Sequence, residues 1–521
     1  MQRRRLVPVL AVSVMATLAP AVTTTTAAAA PGPGTSPLAQ YAQQKLTWKR
    51  CHPDLPAAFQ CATVKVPLNY AKPGGKKTDI AISRYRTSVP GKRHGVLLSN
   101  PGGPGGSGLG LPLEFKTALP QSVRDRYDLI GFDPRGVGRS SPVTCGLSGA
   151  EALWPRVYKA KTYAKDVATA KGVADKCRKR SGEKVPHTTT RNTARDLDLI
   201  RTVLGEKKLN YVGYSYGTYL GAVYSQMFPQ RTGRFILDSA VDPTRTWRGM
   251  IQAWADGAEP AFQRWTKWAA ARNAVYKLGD TPQKVSKSFW DLVAQADRKP
   301  FEYEGEVFNG DGVREYMRYS TFSVEPASEL VVNLRKAAAG KKTGPAGTEP
   351  RRRPAFAVET PADNGDAAFW SVVCGDNSAA WPRDTEQYRK DAVRDKKRYP
   401  LYGDFGSNIT PCAFWNKSGE PVTKVDNKVP SLIIQNEWDS QTPLSTAKGM
   451  RSALKGAKMV TVKNGEGHGV YLFGGSACAD AAGTSYLNTG KLPAKDTTCA
   501  PGAPRTSTTP QSPLPQHPHR F

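Results

Sequence analysis

The chain has 521 residues, which is long enough for one large α/β domain with a sizeable insertion. Its formal net charge is +30, but the basic residues are spread along the chain and no helix-turn-helix, zinc-finger or ribonucleoprotein motif accompanies them. We therefore exclude nucleic acid as a partner and expect a solvated basic surface, with loose association with anionic cell-wall polymer as the alternative.

The first thirty residues have the pattern of a secretory signal peptide. A basic start is followed by a mostly apolar stretch over 6–22 and by small residues over 23–30, which suit cleavage. We expect a flexible leader over 31–48 and a disordered tail rich in proline, serine and threonine over 501–521. Because no later stretch is long and apolar enough to cross a membrane, the sequence predicts a secreted protein, extracellular or associated with the cell wall.

Two blocks of strand-type sequence are separated by a long helical stretch. The predicted strands are apolar or alternating, and they lie at 62–68, 80–85, 95–99, 127–133, 209–212, 234–238, 430–436 and 458–462. A helix is predicted at 193–205, and residues 244–426 are helical and rich in tryptophan, apart from an exposed or disordered loop at 340–354. This order predicts an α/β-hydrolase core over 49–243 and 427–500, with a mostly parallel sheet flanked by helices and a helical lid (244–426) inserted before the last two strands.

The segment Gly213–Gly217 is the centre of the functional prediction. Ser215 stands between two glycines after a short apolar strand and before a helix, which is the nucleophile elbow of α/β hydrolases. The turn strains the serine backbone, and side chains at the two flanking positions would collide with it. A glycine-rich structural turn is the alternative, and it is disfavoured if a base, an acid and an oxyanion hole occur in the right order.

A serine nucleophile needs a base, and the chain has six histidines. His468 alone lies just beyond the last predicted strand, at the carboxyl edge where a parallel sheet presents its site, and glycines flank it. Asp439, which follows the penultimate strand, is the predicted acid; Glu437 is the near rival and Asp238 the distant one. The order Ser215, Asp439, His468 is that of α/β hydrolases.

An oxyanion hole is predicted from the glycine-rich segment 100–108, which follows the third strand. Its donors would be the backbone N–H groups of Tyr216 and Gly103, with Gly102 as the alternative to Gly103. No cofactor is predicted. A metal site is not expected either, because the eight cysteines include no CxxC pair.

In an exported chain, eight cysteines suggest four disulfides. Sequence alone does not fix the pairing, and sequential pairs are the simplest choice. These pairs are Cys51–Cys61, Cys145–Cys177, Cys374–Cys412 and Cys478–Cys499.

Five segments together give a specific resemblance. They are Asn-Pro-Gly-Gly-Pro-Gly at 100–105, Phe-Asp-Pro-Arg-Gly-Val-Gly-Arg-Ser at 132–140, Gly-Tyr-Ser-Tyr-Gly-Thr at 213–218, Leu-Asp-Ser-Ala-Val-Asp-Pro at 237–243 and Asp-Ser-Gln-Thr-Pro at 439–443. From Cys51 to Cys499 the chain resembles the exported tripeptidyl aminopeptidases of actinomycetes, in the proline iminopeptidase group of α/β hydrolases with a TAP-like C-terminal region. The resemblance implies a serine exopeptidase that releases short peptides from free N-termini. Ser239 stands where glycine is usual, a departure we expect to be harmless.

An aminopeptidase must neutralise the buried ammonium of its substrate. We expect the lid to supply a carboxylate, and Asp376 is the first candidate because it follows a predicted helix beside a cysteine that could fix it. Asp242 and Glu437, at the ends of sheet strands, are the alternatives. A helix cap or an arginine pair is the structural alternative for Asp376.

Two other functions remain open at this point. One is an esterase or thioesterase with the same triad, and the other is a non-enzymatic cell-wall-binding protein that has kept the fold. Wall binding requires no serine, aspartate and histidine set, which argues against the second. Epoxide hydrolases and dehalogenases are excluded because they require a carboxylate at the position of Ser215.

Overall fold

The computed structural model describes residues 38–152, 156–341 and 360–502. In these ranges twelve strands form one ten-stranded sheet and one two-stranded hairpin. The strands are β1 (Lys49–Arg50), β2 (Phe59–Pro67), β3 (Lys77–Tyr85), β4 (Val96–Asn100), β5 (Asp128–Phe132), β6 (Leu209–Tyr214), β7 (Thr232–Asp238), β8 (Phe301–Tyr303), β9 (Glu306–Phe308), β10 (Leu432–Trp438), β11 (Lys458–Glu466) and β12 (Thr497–Cys499).

The large sheet has the order β1-β2-β3-β5-β4-β6-β7-β10-β11-β12. The pairs from β1 to β5 along this order are antiparallel, and every later pair is parallel. All residues of the central strands β4 and β6 are buried, as expected for strands covered by helices on both faces. The carboxyl ends of β4, β6, β7, β10 and β11 therefore meet at one edge of the sheet.

The helices of the described ranges cover both faces of the sheet and form the lid. They are α1 (Ala39–Ala42), α2 (Leu111–Ala118), α3 (Gln121–Arg124), α4 (Gly149–Ala152), α5 (Tyr163–Ser181), α6 (Thr190–Val203), α7 (Tyr216–Met227), α8 (Arg248–Ala270), α9 (Asn273–Tyr276), α10 (Pro282–Arg298), α11 (Gly310–Ser320), α12 (Val324–Ala338), α13 (Asn364–Asp376), α14 (Thr385–Arg398), α15 (Gly403–Gly406), α16 (Leu444–Ala453) and α17 (Ala477–Thr489). The local sequence explains where two of these helices begin. The Thr189 side chain caps α6 by accepting from Asn192 N, and Thr281 caps α10 with a proline at its first position.

The lid, α8 to α15, lies between β7 and β10 in the chain and has a hydrophobic core of its own. Two tryptophans of the lid, Trp265 and Trp370, are fully buried, as the helical spacing predicts. Asn364, at the start of α13, ties the lid to the sheet side: its side chain accepts from Gly138 N and donates to the carbonyls of Gly136 and Val143. The lid is therefore packed against the edge where the parallel strands end.

Some elements differ from the sequence prediction. The predicted flexible leader is wrong from residue 38 onward, because Tyr41 is buried and donates to the carbonyl of Pro73, while Gln44 exchanges two hydrogen bonds with the backbone of Lys65. The hairpin β8–β9 inside the lid and the short edge strand β12 were not predicted. The predicted signal peptide, residues 342–354 of the predicted loop at 340–354, and the tail from residue 503 lie outside the described residues.

All four sequential disulfides are present, which confirms the predicted pairing. Cys374–Cys412 joins α13 to the turn at Pro411–Phe414 within the lid. Cys478–Cys499 joins α17 to the edge strand β12. Apart from the regions outside the described residues, no helix is long and apolar enough to span a bilayer.

Candidate active site

Ser215 occupies the turn between β6 and α7, with φ of 57° and ψ of −123°. A Cβ added at Gly213 would lie 2.5 Å from Gly217 O, and one added at Gly217 would lie 2.9 Å from Asn100 Oδ1. Both glycines are therefore required by space, as the sequence predicted. The strained serine backbone is held because Ser215 N donates to the carbonyl of Asp238 on the neighbouring strand, at 2.9 Å.

The glycine-rich segment after β4 lies directly against this turn. A Cβ at Gly102 would lie 2.6 Å from Tyr214 O and 2.9 Å from Ser215 Cβ, and Gly102 has a φ of 100°. The N–H of Gly102 donates to the side chain of Asn100 at 3.0 Å. This bond commits the Gly102 donor and favours Gly103, which lines the same pocket as Ser215 and Tyr216.

His468 and Asp439 are brought together at the ends of β11 and β10. His468 Nδ1 lies 2.7 Å from Asp439 Oδ2, and both side chains are buried. The other carboxylate oxygen, Oδ1, accepts from the backbone N–H groups of Gln441 and Thr442 at 2.8 and 3.0 Å, and the Thr442 hydroxyl donates to Oδ2. Asp439 therefore has every acceptor site filled and presents one oxygen to the imidazole.

Asp238, the distant rival for the acid, supports the histidine loop instead of contacting the imidazole. Its carboxylate accepts from Val470 N and Tyr471 N, and from the Ser239 hydroxyl at 2.9 Å. The Ser239 hydroxyl accepts in turn from Gly469 N at 2.8 Å. Burial raises the pKa of Asp238 to about 7. Ser239 has a φ of 59°, which explains why glycine suits this position, and its hydroxyl adds an anchor that glycine lacks.

A small pocket opens beside Ser215 between the sheet edge and the lid. Gly103, Pro104 and Tyr216 line it from the core, and Gln441 and Thr442 line it from the acid loop. Helices α8 and α13 of the lid supply the opposite walls with apolar and aromatic side chains. A strained serine, a histidine–carboxylate pair and glycine-rich backbone beside a covered pocket form the arrangement used for acyl transfer.

Comparison with known proteins identifies the family. Residues 95–301 match the family model of the alpha/beta hydrolase fold, and residues 399–499 match that of TAP-like proteins. The chain is 36% identical to the tripeptidyl aminopeptidase of Streptomyces lividans over 485 residues, which cover 89% of this chain and 88% of the relative. The chain belongs to the tripeptidyl aminopeptidase family of α/β hydrolases. It is a serine hydrolase of the peptidase type.

Two more distant relatives align with a similar share of this chain. The serine protease Hip1 of Mycobacterium tuberculosis is 28% identical over 487 residues, covering 88% of this chain and 91% of the relative. Carboxylesterase B of the same species is 28% identical over 505 residues, covering 90% of this chain and 93% of the relative.

The three carboxylates predicted to receive a substrate ammonium are already engaged in this family member. Asp376 accepts from Thr190 N and Thr190 Oγ1, at 2.7 and 2.6 Å, and from Trp247 Nε1 at 2.9 Å. Asp242 accepts from the backbone and hydroxyl of Thr244, and Glu437 accepts from Asn464 N. None of the three carboxylates is among the lining residues of the pocket.

Asp376 lies directly behind the pocket wall. Its partner Trp247 lines the pocket, and its partner Thr190 shares a hydrogen bond with the Tyr216 hydroxyl at 2.9 Å. Burial raises the pKa of Asp376 to about 6, while the bonds from Thr190 and Trp247 oppose that shift. These contacts favour a structural role for Asp376, which was the alternative to binding the substrate ammonium. Through Thr190 the same network holds Tyr216, the residue after Ser215.

Helix α11 of the lid carries two charged side chains that sequence reasoning missed. Arg318 on α11 is fully buried and donates to the side-chain oxygen of Gln441 in the acid loop. Its Nε and Nη1 atoms and the Oε1 atom of Glu315, one turn earlier, are buried and lack hydrogen-bond partners within the described part of the chain. Burial raises the pKa of Glu315 to about 8, while the positive charge of Arg318 opposes that shift.

A second lid contact lies on the histidine itself. Phe322, in the turn between α11 and α12, stacks on the His468 ring with 6.0 Å between centroids and 14° between planes. Next to it, Glu466 at the end of β11 pairs with Arg264 of α8 at 3.0 Å and accepts from Val324 N. No sequence motif indicates either contact, because both join segments more than a hundred residues apart.

Proposed function

We propose that this protein is an exported serine exopeptidase that releases short peptides, chiefly tripeptides, from free N-termini through an acyl-enzyme. The observation that carries the proposal is the His468–Asp439 pair at the same sheet edge as the Ser215 elbow, in a chain 36% identical to a tripeptidyl aminopeptidase over most of its length. Four disulfides support export, since such bonds persist in oxidising compartments.

In the proposed reaction Ser215 Oγ attacks the scissile carbonyl while His468 accepts its proton. The backbone N–H groups of Tyr216 and Gly103 stabilise the tetrahedral oxyanion, and Asp439 stabilises the imidazolium. His468 then protonates the leaving amine, the C–N bond breaks, and the acyl group stays on Ser215. A water molecule, deprotonated by His468, hydrolyses the ester and restores the free serine.

The test compares matched tripeptide anilides with free and acetylated N-termini on the purified mature protein. We expect hydrolysis of the free series and at least a tenfold lower kcat/KM for the acetylated series. Ser215→Ala is expected to reduce kcat by about a million-fold without changing the melting temperature. Equal rates on the two series would reject exopeptidase action, and substantial activity in Ser215→Ala would reject the nucleophile.

For the substrate ammonium we propose Glu315 in place of the three carboxylates predicted from sequence. Asp376, Asp242 and Glu437 are occupied by other donors, whereas Glu315 Oε1 is buried without one within the described ranges. An ammonium beside Glu315 would stabilise its ionised form and supply the missing donor. Glu315 itself does not line the pocket, but its neighbour Arg318 donates to Gln441, which does.

Glu315→Gln is the variant that tests this assignment, with Glu329→Gln on the exposed side of α12 as a matched control. We expect Glu315→Gln to raise KM for free tripeptide anilides at least tenfold and to leave hydrolysis of a small neutral ester within twofold. Asp376→Asn is expected to affect peptide and ester alike, as a structural residue would. If Asp376→Asn alone raises KM for the free peptides, the ammonium site belongs to Asp376.

An esterase is the second candidate, and the similarity to carboxylesterase B is the observation that favours it. The same triad hydrolyses esters, so the discriminating quantity is the ratio of kcat/KM for an anilide to that for the ester of the same acyl group. We expect measurable anilide hydrolysis that requires the free N-terminus. Ester hydrolysis without any anilide hydrolysis would favour the esterase.

A further inference from the structure

Apart from the reacting groups and the polar Gln441 and Thr442, the walls of the pocket beside Ser215 are apolar. Helix α8 contributes Met250 and Ile251, α13 contributes Phe369 and Val373, and the core contributes Val241. Four of these side chains are buried, with exposed fractions between 1% and 3% for Val241, Met250, Ile251 and Val373. Trp247 and Trp254 complete the walls.

Three polar side-chain atoms at the pocket form hydrogen bonds with groups outside it. Gln441 accepts from Arg318, the Thr442 hydroxyl donates to Asp439, and the Tyr216 hydroxyl bonds to Thr190. No lining residue carries a charged side chain. A charged group placed in the pocket would therefore lose its hydration without gaining a partner.

The position of the pocket indicates which part of the substrate enters it. The N–H groups of Gly103 and Tyr216 would hold the carbonyl oxygen, so the attacked carbon lies next to Ser215. The P1 side chain lies on the acyl side of the scissile bond and branches from the α-carbon, which is one bond from the attacked carbonyl carbon. Because Gly103, Tyr216 and Ser215 all line this pocket, the P1 side chain is the substrate group nearest to its walls.

We propose that this pocket is the P1 subsite and that it selects an uncharged, apolar P1 side chain. The proposal rests on the proposed function, since P1 is defined by the acyl-enzyme at Ser215. Selection against charge follows from burial of a charged group among apolar walls, which costs several kcal/mol in protein sites and more in a hydrocarbon environment. Because the lid supplies most of the walls, side chains of α8 and α13 would determine the selectivity for the P1 side chain.

The position of Asp376 provides the main rival explanation. This carboxylate lies behind Trp247 and could attract a lysine side chain that displaced the tryptophan. Against this, its three donors already satisfy it, and Trp247 is 4% exposed. The experiment below therefore includes a lysine substrate and an Asp376 variant.

The test compares free tripeptide anilides Ala-Ala-Met and Ala-Ala-Lys, whose P1 side chains have similar length. We expect kcat/KM to be about 100-fold higher for methionine, which corresponds to about 2.7 kcal/mol. A ratio below tenfold would overturn the proposal. A preference for lysine that disappears in Asp376→Asn would also overturn it and assign the side-chain site to Asp376.

Substitutions in the pocket wall distinguish a change in P1 selectivity from a general loss of activity or folding. Val373→Asp places a carboxylate in the wall and is expected to reverse the preference toward lysine; Val373→Thr keeps the shape and is expected to reduce the preference only severalfold. If Val373→Asp does not fold, Ile251→Ala provides the second readout, because enlarging the wall should increase the preference for phenylalanine over alanine at P1. An unchanged ratio in a folded Ile251→Ala variant would count against the proposal.

The same pairs are also measured as esters of the acetylated amino acids, to separate this proposal from the proposed function. If anilides are not cleaved but the methionine ester is strongly preferred over the lysine ester, the exopeptidase proposal fails and the apolar subsite stands. If peptides are cleaved from free N-termini with no discrimination at P1, the exopeptidase proposal stands and the apolar subsite is rejected.

Discussion

Replacement of Asp439 by asparagine is the sharpest test of the site, because the structure dictates how the new amide must orient. Asp439 Oδ1 accepts from two backbone N–H groups, Gln441 N and Thr442 N. The asparagine oxygen must remain at that position, since an NH₂ group there would face two donors. The asparagine nitrogen then faces the His468 Nδ1 atom, which lies 2.7 Å from Oδ2 in the native protein.

An amide nitrogen facing Nδ1 forces this atom to accept a hydrogen bond, so the imidazole proton moves to Nε2. A histidine protonated at Nε2 cannot take the serine proton, and the imidazolium loses its buried anion. We expect kcat to fall about 10⁴-fold, equivalent to about 5 kcal/mol of transition-state stabilisation. Three of the four hydrogen bonds to the side chain have geometric equivalents in asparagine, so the free energy of unfolding should change by only about 1–2 kcal/mol.

The assay measures kcat and kcat/KM on a free tripeptide anilide together with thermal unfolding, on Asp439→Asn and on the two rival acids. Glu437→Gln should retain activity within severalfold, because Glu437 contacts Asn464 N and not the imidazole. Asp238→Ala should lower the melting temperature, because the buried N–H groups of Val470 and Tyr471 lose their acceptor. The reasoning is refuted if folded Asp439→Asn loses less than tenfold in kcat, or if Glu437→Gln loses as much.

Three further outcomes are expected from contacts around the site. Phe322→Leu should reduce kcat about three- to tenfold, because the ring that stacks on His468 and holds its orientation is lost; an unchanged kcat would show that the stacking does not position the imidazole. Burial raises the pKa of Asp376 to about 6, so the folded state binds this proton more tightly than the unfolded chain, and the contribution to stability is present below about pH 4 and lost as the pH rises through 6. Chemical denaturation should therefore find wild type losing up to about 3 kcal/mol relative to Asp376→Asn between pH 4 and pH 7, and a constant difference would contradict the shift. Replacing Cys374 and Cys412 by serine should lower the free energy of unfolding by about 3–4 kcal/mol, whereas thiols titrated in the unreduced, denatured native protein would argue against the disulfides.

The sheet could be predicted closely because its central strands are short apolar runs with a helix or loop between them. The predicted strands 95–99 and 209–212 lie within one residue of β4 and within β6. The edge strand β12 was missed because it has three residues and only its last residue, Cys499, is buried. The hairpin β8–β9 was missed because three-residue strands carry no usable period inside a helical region.

The core part of the site was also accessible from sequence, for a geometric reason. Ser215, Asp439 and His468 each follow a parallel strand by one or two residues, and parallel strands end at one edge. Residues that come just after different parallel strands therefore lie close together at this edge, although they are far apart in the sequence. The same rule found Asp238, but it could not say that this carboxylate turns toward Val470 N and Tyr471 N instead of the imidazole.

No comparable rule applies to the lid. Glu315 and Arg318 stand in an ordinary amphipathic helix, and the contacts that matter depend on how that helix crosses the acid loop 123 residues away. Asp376 was singled out from sequence because it is a carboxylate near a cysteine, yet its geometry is satisfied by Thr190 and Trp247. The two parts of the site should consequently respond differently to substitution. Changes at the sheet edge should act on kcat for every substrate, since they alter proton transfer and the oxyanion. Changes at Glu315 or Val373 should act on KM and on the choice of substrate, since the two proposals assign these lid residues to binding the peptide and not to the chemical step.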